Sequence, residues 1–435
     1  MRRTGLEARG QRGVPLTGMP RRRLPYALVL VSFSLVPGKM PAISPVLEEL
    51  AVTTTFRDSE EQAMLRDTVR TILADLGATS SAVLRPGDEE TLRQEREQRW
   101  RGLAAGLGAA GTLIPAAAGG LDLTLDDVCV ILEEMGRVCY DGPFLSTEVL
   151  TGLVLQVADQ DVDADLAAAA EGSHQTAVTG LHHGPGPAVW PREVVATRGT
   201  AGWTLDGHAR GVVEGYGAQV LFTVAEHEGR LGVWAVQADA PGHDRLALTT
   251  LDLTRGQSDH RFSSTPARLV LSPERGPEVL PWVARRATVA LAAEQVGAAS
   301  AVLAASLEYA RDRFQFGRAI GSFQAIKHRC VDMAIDVEGA LASYAHARGD
   351  LAGVSEASGA EEQAAAVRTT AVAGAHCSEA LFRVAGANLQ IHGGIGMAWE
   401  QDCHVYLRRA KASERLFGTP AQHRAQLVRT WVHAA

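Results

Sequence analysis

Aromatic residues make up only 5% of the 435 positions, and no basic face is evident beyond residue 40. The formal net charge is -8, so the chain lacks both the positive surface and the stacking platform that nucleic acid needs. Nucleic acid is not an expected partner. Cysteine is also scarce: Cys129, Cys139, Cys330, Cys377 and Cys403 are an odd number and form no C-x-x-C pair. A disulfide framework and a metal site are therefore not expected, and a reducing, cytoplasmic compartment is. The apolar run Leu24–Val36 falls short of the roughly 20 residues that cross a bilayer, so no membrane span is expected there. Arg2, Arg3, Arg9, Arg12, Arg21, Arg22 and Arg23 precede that run, as in a signal peptide, but no A-x-A cleavage pattern follows. Residues 1–55 are read as an N-terminal tail, and 1–39 as an over-extended reading frame with the real start at Met40.

Hydrophobic residues, at 46%, are ample for buried cores, and the length calls for two or three domains. From Phe56 the pattern is helical. Ser59 to Gln62 forms a capping box, and Leu65, Val69, Ile72 and Leu76 share one face. Thr124 can cap a second helix running through Met135, with Gly111–Gly120 as the turn before it. These features define a helical domain over 56–173. Over 174–278 the period shortens to runs broken by glycine, such as Gln219–Val224 and Leu231–Val236 around Glu228-Gly229-Arg230, which read as antiparallel hairpins. Leu181–Pro191 reads as loop. From 279 to 435 helical spacing returns, with helices through Val289–Phe314, Phe323–Tyr344, roughly 361–386 and roughly 400–416. Such helices pack as an antiparallel four-helix bundle. The fold expected is mainly α: helices, a small β-domain, then a helical bundle.

Gly106-Leu-Gly-Ala-Ala-Gly111 matches the dinucleotide-binding pattern G-x-G-x-x-G, but that motif needs a strand before it and a helix after it. Here a helical stretch precedes and Pro115 follows, so the match reads as a helix end. The segment Tyr309–Gln324 is different in kind. Arg313 lies at the boundary of two apolar-striped helices with Phe314, Phe316 and Phe323 around it, and Gly317 supplies the turn. A guanidinium there suits a pyrophosphate, held bidentately while rings pack on a flat cofactor. Farther on, Gln390-Ile-His-Gly393-Gly394-Ile-Gly396 falls between two helices. Paired glycines let a ligand approach backbone closely, although a glycine helix cap explains them as well.

Taken in order, Y-x-x-x-R-x-x-F-G-x-x-I-x-x-F-Q, then Q-x-x-G-G-x-G, then R-R-A-K resembles the acyl-CoA dehydrogenase family. Pro115–Gly120, Glu133–Arg137 and Gly202–Gly207 look like further family landmarks, so the resemblance covers residues 56 to about 430. It implies the fold already described, usually as a tetramer, with FAD as cofactor. It also implies an acyl-CoA thioester substrate and an electron-transfer flavoprotein as acceptor. By position, Arg313 would hold the pyrophosphate, and Phe316, beside Gln315, would pack near the adenosine half. Gln324, Gln390, Gly393, Gly394 and Thr419 would contact the cofactor. The reaction implied removes an α-proton with a carboxylate base while hydride leaves the β-carbon for the flavin.

The chain departs from this pattern on one side. The family's catalytic glutamate precedes Gly-Thr, but Phe417 stands before Gly418-Thr419. The alternative base position, in Arg285-Arg286-Ala287-Thr288, has no carboxylate either, and Glu294 two turns on reads as structural. The catalytic base is therefore unassigned. Around Val178-Thr179-Gly180 the family's T-E-P segment is missing, and Gly211, Val212 and Val213 replace its W-I-T. In the family, the motifs that remain here reach a neighbour's flavin, and those missing serve the chain's own. The expectation is an FAD-dependent dehydrogenase working alone or as one subunit of a mixed oligomer. Mixed assemblies occur among bacterial enzymes handling bulky acyl-CoA side chains, in fatty acid or steroid side-chain catabolism. The alternatives are a non-catalytic subunit completing a homologue's FAD site, an inactive acyl-CoA- or flavin-binding protein, and a relative that passes electrons to oxygen.

Overall fold

The computed structural model describes residues 58–81, 89–107, 111–172, 174–186, 189–355 and 358–432. The N-terminal tail, including Met40 and the apolar run, lies outside the described residues. Helix α1 (Glu60–Asp75) starts at the expected box, where the Ser59 hydroxyl accepts from Gln62 N–H and the Gln62 side chain accepts from Ser59 N–H. Helix α2 (Glu89–Gly106) follows. Thr124 and Asp127 cap α3 (Leu125–Arg137) in the same reciprocal way. Gly106 is the last residue of α2, and among the described residues no strand precedes it, so the dinucleotide-type match is a helix end. A π-helix, Leu145–Leu150, was not legible, and all six of its residues are buried. Within it, Glu148 accepts from the Gly111 and Thr112 amides at 2.7 and 2.9 Å, and burial pushes its carboxyl up to about 6. Helices α4 (Thr151–Gln156) and α5 (Asp163–Glu171) lead into the sheet.

Seven strands lie between Thr176 and Leu271: β1 (Thr176–Thr179), β2 (Val194–Gly199), β3 (Gly202–Val213), β4 (Val220–His227), β5 (Arg230–Gln237), β6 (His243–Leu248) and β7 (Gln257–Leu271). The expected hairpin joins β4 to β5 through Glu228 and Gly229, both at positive φ, as a tight two-residue turn requires. The sheet is not wholly antiparallel: β1 and β2 both pair with β4 in parallel. The chain between β1 and β4 carries a loop and the β2–β3 hairpin, long enough to return in the same direction. Because β5 pairs with both β4 and β7, the sheet curls onto itself around Leu205, Leu221 and Trp234.

The bundle begins with α6 (Gly276–Asp312), whose stretch Val279–Ala299 is almost wholly buried. Of the described helices it alone is long and apolar enough to cross a membrane, and its burial marks it as a core helix. Helix α7 (Gln324–Ala352) runs antiparallel to α6, and α8 (Ala360–His392) runs back alongside it. Polar pairs mark that register: Arg285 with Gln363, Gln295 with Ser378, and Ser306 with Asn388. Helices α9 (Cys403–Ser413) and α10 (Pro420–Val432) complete the C-terminal part. Two expectations change here. The third long helix does not stop near residue 386 but runs to His392, because Asn388, Leu389 and Ile391 are buried and extend its packed face. And α10 adds a helix beyond the four expected.

Helices α3 and α6 cross where Gly136 faces the backbone of Glu294 and Gly297 faces that of Glu133. A β-carbon at either glycine would run into a carbonyl oxygen. Gly297→Ala should therefore lower stability by about 2–3 kcal/mol. Gly386→Ala, with nothing within 4 Å of its new methyl, should raise stability by about 0.5–1 kcal/mol. Urea midpoints of the two variants check the opposite signs.

Candidate functional site

Most of the sequence-predicted residues meet at one end of the bundle. Arg313 caps α6, its N–H donating to Tyr309 O at 2.9 Å. After it, β8 (Phe314–Gln315) and β9 (Arg318–Ala319) form a small hairpin whose turn, Phe316-Gly317, has φ of 53° and 77°. The Ile320 amide closes this arm by donating to Arg313 O at 2.8 Å. Phe316 is 89% exposed and lies edge-on to Phe323, against whose other contacts Arg318 adds a cation 4.0 Å from the ring centre. Gln324, the first residue of α7, is exposed, as are Gln315 and Arg313. Among the described residues no hydrogen bond or ion pair occupies the Arg313 guanidinium.

The end of α8 comes to the same place. Its last residue, His392, stacks on Tyr309 with ring centres 3.9 Å apart, joining the tips of α6 and α8. Gln390 therefore sits on a helix, exposed, rather than in an interrupting loop. Gly393 at φ 64° ends α8, with its N–H donating to Leu389 O, so it is a glycine cap. Nothing lies within 4 Å of where a side chain on Gly393, Gly394 or Gly317 would begin. The result is an exposed cradle of a guanidinium, three side-chain amides and open backbone, with Phe314 next to Arg313 and Ile395 next to Gly394 both exposed. Its groups suit a flat, anionic ligand: Arg313 for charge and fork geometry, Phe316 for a ring face.

Thr419 is elsewhere. Its hydroxyl accepts from Gln422 N–H and its N–H donates to the Gln422 side chain, which makes it the cap of α10. One turn on, His423 packs against Gly374 of α8, roughly 24 Å along the helix axis from Gln390. Around Thr419 the chain is packed shut. Phe417 is 1% exposed at φ 56°, and its N–H donates to His182 O at 2.9 Å. Leu181, Trp190, Val178 and Val213 belong to the same buried cluster. His182 reaches Arg210 O at 3.2 Å, and burial beside His183 lowers its imidazole to about 3. Val213 brings only an apolar side chain to this region, and Val212, on the other face of β3, is buried in the sheet's own core with Leu205, Leu221 and Trp234. The hydroxyls of Thr179 and Thr223 and the Nδ1 of His182 are buried without hydrogen-bond partners.

Glu294 is equally unavailable. Its carboxylate is clamped by Arg255 at 2.6 Å and by Arg409 at 3.0 Å, all three buried. Burial pushes its carboxyl up, yet the two arginines outweigh that and hold it below the ordinary range. Arg409 also donates to Thr254 at 2.7 Å and lies 3.5 Å from Asp252. At the alternative base position, Arg285 binds Gln363 and Arg286 binds Val354 O while lying 3.6 Å above the Trp282 ring. Among the described residues, neither expected base position carries a carboxylate: Phe417 occupies one and Arg285, Arg286, Ala287 and Thr288 the other.

The acyl-CoA dehydrogenase C-terminal domain matches residues 275–431, and the N-terminal domain of the same family matches residues 59–165. The acyl-CoA dehydrogenase IpdE2 of Mycobacterium tuberculosis is 31% identical over 83% of this chain and 95% of its own length. The chain belongs to the acyl-CoA dehydrogenase family. Among solved structures it is similar to the Tcur3481-Tcur3483 steroid acyl-CoA dehydrogenase, with 28% identity and a TM-score of 0.72 over 86% of this chain and 98% of that one. It is also similar to the ChsE4-ChsE5 complex of Mycobacterium tuberculosis, with 26% identity and a TM-score of 0.72 over 87% of this chain and 99% of that one.

For a member of the acyl-CoA dehydrogenases, the two ends of this chain differ sharply in fit. A flavin ring does not fit around Phe417, where side chains occupy the space, whereas the cradle at Arg313 is open. Phe417→Glu should not create a dehydrogenase, because the new carboxylate would be buried without a partner. The expected result is a loss of about 2–4 kcal/mol in thermal or urea unfolding with no gain in acyl-CoA oxidation. Two features escaped the sequence. The Tyr309–His392 stack joins residues 83 positions apart, and only the histidine inside Q-x-H-G-G could have hinted at it. The Arg255–Glu294–Arg409 clamp joins three separate segments with no local signature.

Proposed function

We propose that this chain is the site-completing subunit of a mixed acyl-CoA dehydrogenase, whose base and principal flavin pocket lie on a related partner chain. One observation carries this reading: the chain's own cleft is filled by Phe417, while the Arg313–Gln390 cradle stands open at the surface. Arg313 would hold the pyrophosphate of the partner's FAD, Phe316 would cover its adenosine half, and Gln324 and Gln390 would fix its edges. FAD, when bound, supplies the hydride acceptor. This chain's residues bind and orient, and none of them moves a proton. Exposed Phe314 and Phe316 on the arm and Ile395 and Met397 after the paired glycines, with Val331 and Ile335 on α7, are apolar groups such a partner would cover.

The similarity to a steroid enzyme and to a two-protein complex supports a bulky, steroid-derived acyl-CoA as substrate and a related chain as partner. Electrons would leave through an electron-transfer flavoprotein. The test is co-expression with related subunits, followed by assay against acyl-CoA thioesters of steroid side chains and of simple fatty acids. The complex should oxidise the steroid class and the isolated chain neither. Turnover by the isolated chain would refute the proposal.

A further inference from the structure

We infer that His392 is a positioning residue, which holds the Arg313 arm and the Gly393–Gly394 backbone in register through its stack on Tyr309. The inference rests on the function proposed above for what that cradle binds, but the latch itself is a property of this chain alone. Two halves of the cradle come from segments some 80 residues apart, on the tips of parallel helices α6 and α8. Tyr309 lies one turn before Arg313 and accepts its backbone N–H, so the tyrosine sets where the arm leaves the helix. His392 immediately precedes Gly393, whose positive φ turns the chain out of α8. The two rings lie 3.9 Å apart at 21°, a stacked geometry that fixes both backbones at once.

The imidazole is held from behind. Its Nδ1 lies 3.0 Å from Asn388 O, and Asn388 is anchored by the Ser306 hydroxyl at 2.7 Å, one turn before Tyr309. The lower bond ties the helix bodies, and the stack ties their tips. Gly396 faces the β-carbon of His392, so the segment after the paired glycines folds back against the same residue. On the arm's own side, Phe316 and Arg318 both turn toward Phe323. An arm without the stack would keep its hairpin but lose its fixed distance from Gly393.

The test uses His392→Ala, His392→Phe, Tyr309→Leu and the double variant Tyr309→Leu/His392→Ala. In the full chain alone, limited trypsin digestion reads the arm through cleavage after Arg313. His392→Ala should speed that cleavage about 3- to 10-fold, the worth of one aromatic pair, and His392→Phe should leave it near wild type. In the complex with its related subunit, His392→Ala should weaken FAD by a similar factor, and the double variant should be no worse than the single one. Cleavage unchanged by His392→Ala, or a His392→Phe variant as labile as His392→Ala, would overturn the latch. Additive effects in the double variant would overturn it too. If the wild-type complex holds no flavin, the proposed function fails, and the trypsin arm still decides the latch.

Discussion

In the assembled complex, Arg313→Ala is expected to weaken FAD binding by about 100-fold while leaving the fold of this chain intact. The guanidinium is exposed, tied to nothing else among the described residues, and stands on a closed hairpin, so its removal costs the chain no internal contact. What is lost is a forked, charge-assisted pair of hydrogen bonds to a pyrophosphate, worth about 3 kcal/mol together. Arg313→Lys keeps the charge and loses the fork, so it should fall between, at about 10-fold. Gln390→Ala, which removes a neutral amide, should cost less than either. Flavin fluorescence during titration of the deflavinated complex gives all three constants, and a circular dichroism melt confirms the unchanged fold. An Arg313→Ala complex that holds FAD as tightly as wild type would remove the cradle from the site.

Glu294→Ala is expected to act in the opposite way, through stability. It would leave Arg255 and Arg409 buried without their shared counter-ion, at a cost of about 3–5 kcal/mol. Its carboxyl is held below the ordinary range in the fold, so the stability it supplies is present above the unfolded carboxyl value. That stability is lost as pH falls from about 4.5 through the lower folded value. Urea midpoints across pH 3 to 7 should therefore fall more steeply for wild type than for the variant on the acid side. If Glu294 were the missing base, Glu294→Gln would abolish turnover in the complex with little change in stability. The clamp predicts a large fall in stability instead.

Local chemistry was the legible part. The Ser59 box, the Thr124 cap, the Glu228-Gly229 turn and the turn at Gly317 each depend on residues within four positions of one another, and the structure holds all of them. The third bundle helix reads as ending near residue 386, short of the paired glycines, although it runs to His392. Packing decided otherwise, since Ser306 holds Asn388 from 82 positions away. Sheet closure, the parallel pairing of β1 with β4, and the three-part clamp on Glu294 are all long-range. No periodicity encodes them. Thr419 shows the limit of motif transfer: Gly418-Thr419 is present, but its neighbour Phe417 fills the space and the threonine caps a helix.

If this chain lends a cradle to a partner's flavin, as proposed, it has no working flavin site itself. Flavin content measured against total protein tests this most directly, on the isolated chain and on the co-purified complex. The isolated chain should hold none, and the complex one flavin for each pair of unlike subunits. One flavin for every chain, or a full complement in this chain alone, would contradict it.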